Sequence, residues 1–310
     1  MGKRLIDNAK IAAAQIGFQT VFNNALKWAE EPIVQLSMPI TSTGSEEQYK
    51  WFGSVPGMEQ WLDDRKMSSL RAESQTIANL DWANGLRVDK NDILDDKLGM
   101  VEPRIRTLAD IASRHPGKML ADLLVNGFDG TVVGWSDGKS YDGKYFFAAD
   151  HVEGDSTGLD NVGTPALAYD DYSAARVEMM SLTDESGDYP LDIEPNLLVV
   201  GPSNERTALE IVKAGLRNPA SDAASIDNVY KGSADVIVSK RLVGSYANYW
   251  FMADTTKPIK PLVFQTRERP TFVASEANMF ARKEMQYGVD GRYAAGYGFW
   301  QLAWGSNGTT

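Results

Sequence analysis

The 310-residue sequence predicts an α+β fold. Three observations carry this. Apolar residues of helical period run from Ile93 to Ala112, a helix–strand–helix succession begins at Tyr169, and two-residue alternation marks the stretches 34–40 and 285–299. A chain of this length suits about two domains of roughly 150 residues each. The composition, 43% hydrophobic and 24% charged, is that of a folded chain rather than a disordered one.

Residues 5–28 read as a helix, with Ile6, Ala9, Ala13, Ile16, Val21 and Leu26 apolar and no proline before Pro32. The spacing is irregular around Gly17, which suits an arm packed on some other surface. Val34, Leu36, Met38 and Ile40 then alternate with Gln35, Ser37, Pro39 and Thr41, a strand that Pro39 confines to an edge or an unpaired position. Alternation returns at Thr76, Ala78, Leu80 and Trp82, ahead of Leu86 and Val88. Between these runs lies the polar and aromatic stretch TSTGSEEQYKWFGSVPGMEQWLDDRK, so the two strands are expected to form a long two-stranded excursion that leans on another chain. Trp51, Phe52 and Trp61 sit inside it as an aromatic cluster of the kind that marks a protein interface. The remaining Trp and Met residues are scattered and read as core.

A helical stripe follows over 92–112, with Asp89 or Asn91 as its N-cap and Pro103 suited to a first turn. Pro116 and Gly117 are expected to break it from a second helical stretch over 117–126, which makes His115 a surface or cap histidine. Asp129-Gly130, Asp137-Gly138 and Asp142-Gly143 are turn signals. His151 reads as a turn residue satisfied by backbone or by a carboxylate such as Asp150. Beyond Tyr169, one helix buries Tyr172, Ala175, Met179 and Leu182, residues 196–201 form a buried strand, and Pro202-Ser203 open a helix that continues through Val212. DVIVSK and YWFMAD are further short strands. MQYGVDGRYAAGYGFW is expected to be a hairpin turning at Asp290-Gly291.

Absent residues exclude most chemistry. With no cysteine there is no disulfide, thiolate nucleophile or cysteine-based metal site. Two histidines, His115 and His151, cannot write a zinc-protease pattern. Neither a phosphate-binding GxxxxGK[ST] loop nor a GxSxG elbow occurs. The acidic stretch VDKNDILDD fails as a calcium loop because Leu94 stands where glycine is needed and Met100 where the bidentate glutamate is needed. No catalytic, cofactor-binding or metal-binding residue is therefore expected. No run is apolar enough for a membrane span, Asp7, Lys10 and Gln15 break any signal-peptide core, and Ile6 fails the myristoylation pattern, so an intracellular product without a lipid anchor is expected. The formal net charge is −11, and residues 151–200 hold eleven acidic side chains against the single Arg176. That segment reads as a solvated acidic face, with Asp170, Asp171 and Glu178 outward. No basic stripe points to sequence-specific nucleic-acid binding.

The strings YKWFGSVPGMEQW, LRVDKNDILDDKLG and SYDGKYFFAADH, in this order and at these separations, resemble the major head subunit family of Mu-like phages and prophages. The likeness covers residues 49–151, with a looser match in PLVFQTRERP; Val152 stands where a proline often follows the histidine of the third string. The resemblance implies the Hong Kong 97-type phage capsid fold. Its parts fall, in order, on an N-terminal arm over 1–32, an extended two-stranded loop over 33–85, a peripheral domain with a spine helix over 86–168 and 255–310, and an axial α/β domain over 169–254, this last placed by order alone. It further implies a major capsid protein, not an enzyme, that self-assembles into an icosahedral head and encloses double-stranded DNA without sequence specificity. Implied partners are the chain itself in pentamers and hexamers, with portal, scaffold and decoration proteins beside it; no cofactor and no membrane is implied. The implied location is the virion capsid, and the bacterial cytoplasm during assembly. Tyr49, Trp51, Phe52 and Trp61 are the expected subunit-interface residues. Two rivals stand beside this reading: a nanocompartment shell of the same fold, and a carboxylate-using α/β hydrolase resting only on the 42 acidic residues.

Overall fold

A computed structural model describes residues 2–50, 74–95, 98–153, 156–184, 189–217 and 225–309. Helix α1 (Gly2–Ala25) leads through a 3-10 turn at Pro32–Leu36 into strand β1 (Ser37–Thr41). β2 (Glu46–Tyr49) and β3 (Gln75–Ala78) follow, then β4 (Leu80–Asp89), α2 (Lys90–Leu94) and the 29-residue α3 (Leu98–Asn126). Short strands β5 (His151–Glu153), β6 (Ser156–Leu159) and β7 (Val162–Gly163) precede α4 (Tyr169–Met180), β8 (Leu197–Val200) and α5 (Glu205–Val212). Next come β9 (Leu216–Arg217), β10 (Ile226–Asp227), β11 (Asp235–Val238) and β12 (Trp250–Ala253). Two 14-residue strands, β13 (Leu262–Ser275) and β14 (Glu284–Tyr297), flank α6 (Met279–Arg282), and β15 (Ala303–Ser306) comes last.

Among the described residues, one sheet has the order β1-β13-β14-β4 and a second the order β11-β8-β12-β15-β7. β1 lies at an edge, where Pro39 loses no ladder bond that the sheet needs. Among the described residues the two alternating runs do not pair with each other along their length. β1 pairs parallel with β13 while β4 pairs antiparallel with β14, so the two runs end at opposite edges of one sheet. The described base of the excursion is two-stranded, β2 pairing antiparallel with β3, with Glu46 opposite Ala78 and Tyr49 opposite Gln75. Val34 and Leu36 fall in the 3-10 turn begun by Pro32, which shortens the first strand.

The expected hairpin at Asp290-Gly291 is also absent, because β14 runs straight through it. A two-residue hairpin turn there would place Val289 and Arg292 directly opposite each other and shift the apolar phase by one. The sequence keeps its phase instead: Met285, Tyr287, Val289, Tyr293, Ala295 and Tyr297 all occupy odd positions and all are buried. Gly291 serves a close approach, since a Cβ there would lie 3.2 Å from Pro270 N at the irregular step in β13.

α3 is continuous across Pro103 and Pro116, against the expected break. An interior proline costs about 3 kcal/mol or more in a helix, but Ile105, Leu108, Ala109 and Ala112 are buried ahead of Pro116, and Met119, Leu120, Leu123 and Leu124 after it. Tertiary packing of this long face holds the helix together. Gly117 makes room for Glu31, whose Oε2 would lie 1.6 Å from a Cβ. α1 packs on another surface, as its irregular spacing suggests. Ile11, Ala14, Phe18 and Phe22 bury one face against α3 and the long sheet, where Phe18 meets Tyr287 edge-on at 5.1 Å, and it is Ile16 that is exposed.

Several expectations hold. Asp89 caps α2, its side chain accepting from Asn91 N at 2.7 Å. Asp129, Asp137 and Asp142 each accept the N–H two residues on, at 3.0, 3.1 and 3.1 Å, ahead of glycines with positive φ. Tyr172, Ala175, Met179 and Leu182 face inward, and β8 is buried throughout. The second sheet has one face on α4, where Trp304 donates to Glu178 at 2.7 Å, and the other on Phe147, whose ring lies 5.4 Å from that of Phe251. The acidic face is only partly solvated: Asp170 and Glu178 are exposed, whereas Glu153 and Asp184 are buried.

Candidate assembly surfaces

The base of the excursion is a polar clasp on β13. Tyr49 Oη donates to Gln265 Oε1 at 2.8 Å, and Gln265 Nε2 donates in turn to Ile77 O and Asn79 Oδ1 at 3.0 and 2.9 Å. Asn79 Nδ2 donates to Ser42 Oγ and Gly44 O. Glu47 Oε1 accepts from Ser42 Oγ, Thr43 N and Gly44 N at 2.8, 2.7 and 3.0 Å, and these bonds, the backbone ones foremost, hold its carboxyl below the usual range. Burial, with Glu47 nearby, pushes the Tyr49 phenol up to about 12. Tyr49, Ile77 and Asn79, on the two sides of the excursion's base, thereby all meet one side chain of the long sheet. Tyr49 is engaged inside its own chain; Trp51, Phe52 and Trp61 lie outside the described residues.

A second polar knot ties the loop after α3 to the last strand. His151 is fully buried, its ring parallel to Trp300 at 4.0 Å, with Nδ1 2.6 Å from Asp142 Oδ2 and Nε2 3.2 Å from Asn161 Oδ1. The carboxylate that satisfies it is thus Asp142, nine residues away and brought close by the Asp142-Gly143 turn, whereas Asp150 pairs with Lys144 on the surface. Tyr141 Oη donates to Glu153 Oε2 at 2.7 Å, and burial together with that carboxylate raises the phenol well above its ordinary range. Gln301 Nε2 donates to both. Among the described residues no group of acidic and histidine side chains is arranged to hold a metal. Every bond in this knot joins one part of the chain to another, so its work is structural. Sequence reading missed Asn161 and Gln301, single polar residues with no motif to mark them, and gave no role to Gln265 although it lies in PLVFQTRERP.

His115 lies inside α3, not at a cap. Its Nδ1 is 2.9 Å from Tyr293 Oη and its ring 4.5 Å from that of Trp82, and burial pushes its pKa down to about 4.

Exposed large apolar side chains are unevenly placed. Among the described residues, eight of the fourteen lie within residues 169–254, among them Val177 and Met180 on α4 and Leu216, Ile226 and Val229 around β9 and β10.

Residues 11–166, 162–242 and 239–310 match the family described as Mu-like prophage major head subunit gpT. The chain belongs to this family. Two curated members are similar along most of the chain. The Mu-like prophage FluMu major head subunit of Haemophilus influenzae is 25% identical over 297 residues, which are 94% of this chain and 71% of that one. The major capsid protein of Escherichia phage Mu is 21% identical over 303 residues, 96% and 74% of the two chains. Among solved structures, the procapsid of bacteriophage JBD30 matches with TM-score 0.56 at 24% identity over 96% of this chain and 75% of that one. The mature capsid of bacteriophage PhiM1 matches with TM-score 0.50 at 11% identity, over 89% and 86%. The head subunit accordingly has the tailed-phage capsid fold of Hong Kong 97 type. It is a structural component of a Mu-like phage head, not an enzyme, and membership sets aside both the nanocompartment and the hydrolase readings. Among its described residues no helix is long and apolar enough to cross a membrane.

Proposed function

We propose that the head subunit closes with copies of itself into five-fold and six-fold rings of an icosahedral shell around double-stranded DNA. The observation that carries the ring contacts is that most of the exposed large apolar side chains among the described residues fall on residues 169–254, the proposed axial domain. Burying such patches between subunits in closed rings is the physical basis of assembly. The proposed division keeps an arm over 1–32, a loop over 33–85 and a peripheral domain over 86–168 and 255–310; the arm is then one that rests on its own peripheral domain through Phe18 and Phe22. Tyr49, Trp51, Phe52 and Trp61 supply further subunit contacts, Tyr49 by fixing the base of the loop through Gln265 and the other three as aromatic anchors. A net charge of −11 suits a shell that must release its genome, because a strongly basic lining would hold phosphates tightly. Portal and scaffold proteins belong to the same reading. A decoration partner is proposed from likeness to the JBD30 capsid solved with minor capsid protein trimers, TM-score 0.53 at 22% identity over 70% of this chain and 92% of that one.

The test pairs assembly with folding. Val177→Asp combined with Met180→Asp places two charges on the outer face of α4, whose inner face is untouched. Particle yield in electron micrographs should collapse while circular dichroism stays that of the wild type. Shells formed at wild-type yield would remove α4 from the ring contact.

A further inference from the structure

The two edges of the long sheet are not alike. β1 carries Pro39 at one edge, whereas β4 at the other is ten residues long and has no proline. Lys90 N donates to Lys283 O at 2.8 Å, and the β4–β14 register pairs Val88 with Met285, Leu86 with Tyr287, Asn84 with Val289 and Trp82 with Gly291. In an antiparallel ladder the hydrogen-bonded pairs alternate, so the even residues of β4 bond to β14. The N–H and C=O groups of Asp81, Ala83, Gly85 and Arg87 point away from the sheet. Among the described residues, Gly85 N–H finds only the neighbouring Asn84 side chain, at 2.8 Å. An open edge of this length is a template for another strand.

The sequence along that edge, Leu80 to Val88, is chemically palindromic about Asn84. Antiparallel pairing with a second copy centred on Asn84 sets Asp81 opposite Arg87, Ala83 opposite Gly85, Trp82 opposite Leu86 and Leu80 opposite Val88. Each charge meets its opposite and each apolar side chain meets another, the pairings that stabilise adjacent strands. The two sets also lie on different faces. Trp82 turns toward α3, where it touches His115, and Asp81 is 83% exposed with Arg87 also exposed. Moving the centre by one residue, to Gly85, would set Asp81 against Asp89 and Ala83 against Arg87 and lose this complementarity. Because odd residues face odd residues in the Asn84 register, all four outward N–H and C=O sets bond across the two-fold axis. Gly85 N–H exchanges its Asn84 bond for one to the second copy. There is room for the pairing: α3 crosses chiefly over β14, so three strand spacings of ~4.8 Å would separate the two α3 helices by about 14 Å, beyond the 8–10 Å of packed helices.

We propose that the outer edge of β4 is a two-fold interface at which two head subunits join their long sheets edge to edge, in the register centred on Asn84. This rests on the reading that the chain assembles with itself, and names one of the contacts.

The absence of native cysteine makes disulfide trapping a clean test. Asn84→Cys faces its own counterpart across the axis in a non-hydrogen-bonded pair, within the ~4.4–6.8 Å between Cα atoms that a disulfide spans. Ala83→Cys faces Gly85 instead and has its counterpart two residues away. Assembled particles of each variant are oxidised and run on a denaturing gel without reductant. Asn84→Cys should give a covalent dimer as its main cross-linked species and Ala83→Cys several-fold less. As a second arm, Asp81→Lys should lower assembly yield, and Asp81→Lys with Arg87→Glu should restore it, with circular dichroism confirming the fold. Particles that form normally while Asn84→Cys stays monomeric, or cross-links no better than Ala83→Cys, overturn the β4 interface and leave self-assembly standing. Wild-type chain that forms no particle or oligomer under any condition overturns the self-assembly reading itself.

Discussion

At His151 both ring nitrogens face oxygens, and the orientation of Asn161 is fixed because its Nδ2 donates to Phe146 O, Trp300 O and Ala303 O. Removing Asp142 strands the His151 Nδ1 side at a site with 0% exposure. A buried group left unsatisfied costs on the order of 1–3 kcal/mol, whereas exposed ion pairs contribute about 0.2–1 kcal/mol. Asp142→Ala is therefore expected to lower the unfolding free energy by about 2–3 kcal/mol in urea titrations, and Lys144→Ala, which removes the surface pair with Asp150, to change it by less than about 1. Equal effects would demote the knot to surface chemistry. His115 gives a pH signature of known sign. Burial, chiefly, lowers its pKa from 6.5 to about 4, so the folded chain refuses a proton that the unfolded chain accepts between these values. Its contribution is complete above about pH 6.5 and declines as pH falls toward 4. Between pH 7 and 5 the wild type should lose stability more steeply than His115→Gln; parallel curves would contradict the burial of the ring.

Two elements, α1 and β14, each have a direct test. Phe18 and Phe22 make α1 part of the core shared with α3 and the long sheet. Phe18→Ala should cost about 3–5 kcal/mol, as truncating a fully buried aromatic does; an unchanged unfolding curve would contradict the packing of α1 on this core. Asp290 is exposed in the middle of β14, so Asp290→Thr should leave thermal stability unchanged or raise it, because threonine suits a strand better than aspartate. A turn at that position would make the same change destabilising. Helix and strand periods, the Asp89 cap and the Asp-Gly turns were legible because they depend on local chemistry. Pairing was not. β1 and β4 meet β13 and β14 more than 190 positions away, and nothing within either run announces that partner. Pro116-Gly117 read as a break because interior packing on both sides of it is a tertiary fact. The unbroken odd phase of Met285 through Tyr297 was available in the sequence and outweighs the Asp290-Gly291 signal. The clasp at Tyr49 and the knot at His151 were half legible: Tyr49, His151 and Gln265 fell in recognisable strings, but nothing marked the pairing of Gln265 with Tyr49, and Asn161 and Gln301 carried no pattern.

At the scale of the whole chain, a charge of −11 and an acidic stretch with Asp170 96% exposed mean that subunits brought into a ring repel one another. Such repulsion is screened over about 10 Å at 0.1 M salt. Assembly is expected to improve from low to moderate salt, followed by light scattering, and Asp170→Asn with Asp171→Asn should flatten the response; steady dissociation with added salt would show that complementary charge pairs dominate the contacts. The exposed apolar side chains of residues 169–254 and the open edge of β4 both leave a lone subunit with surfaces that other copies can cover. Electron microscopy of the purified wild-type chain, taken across assembly conditions with light scattering alongside, tests this most directly. Closed shells or five-fold and six-fold rings are the expected particles; a stable, monodisperse monomer under every condition would contradict the assignment of this chain as a self-assembling head subunit.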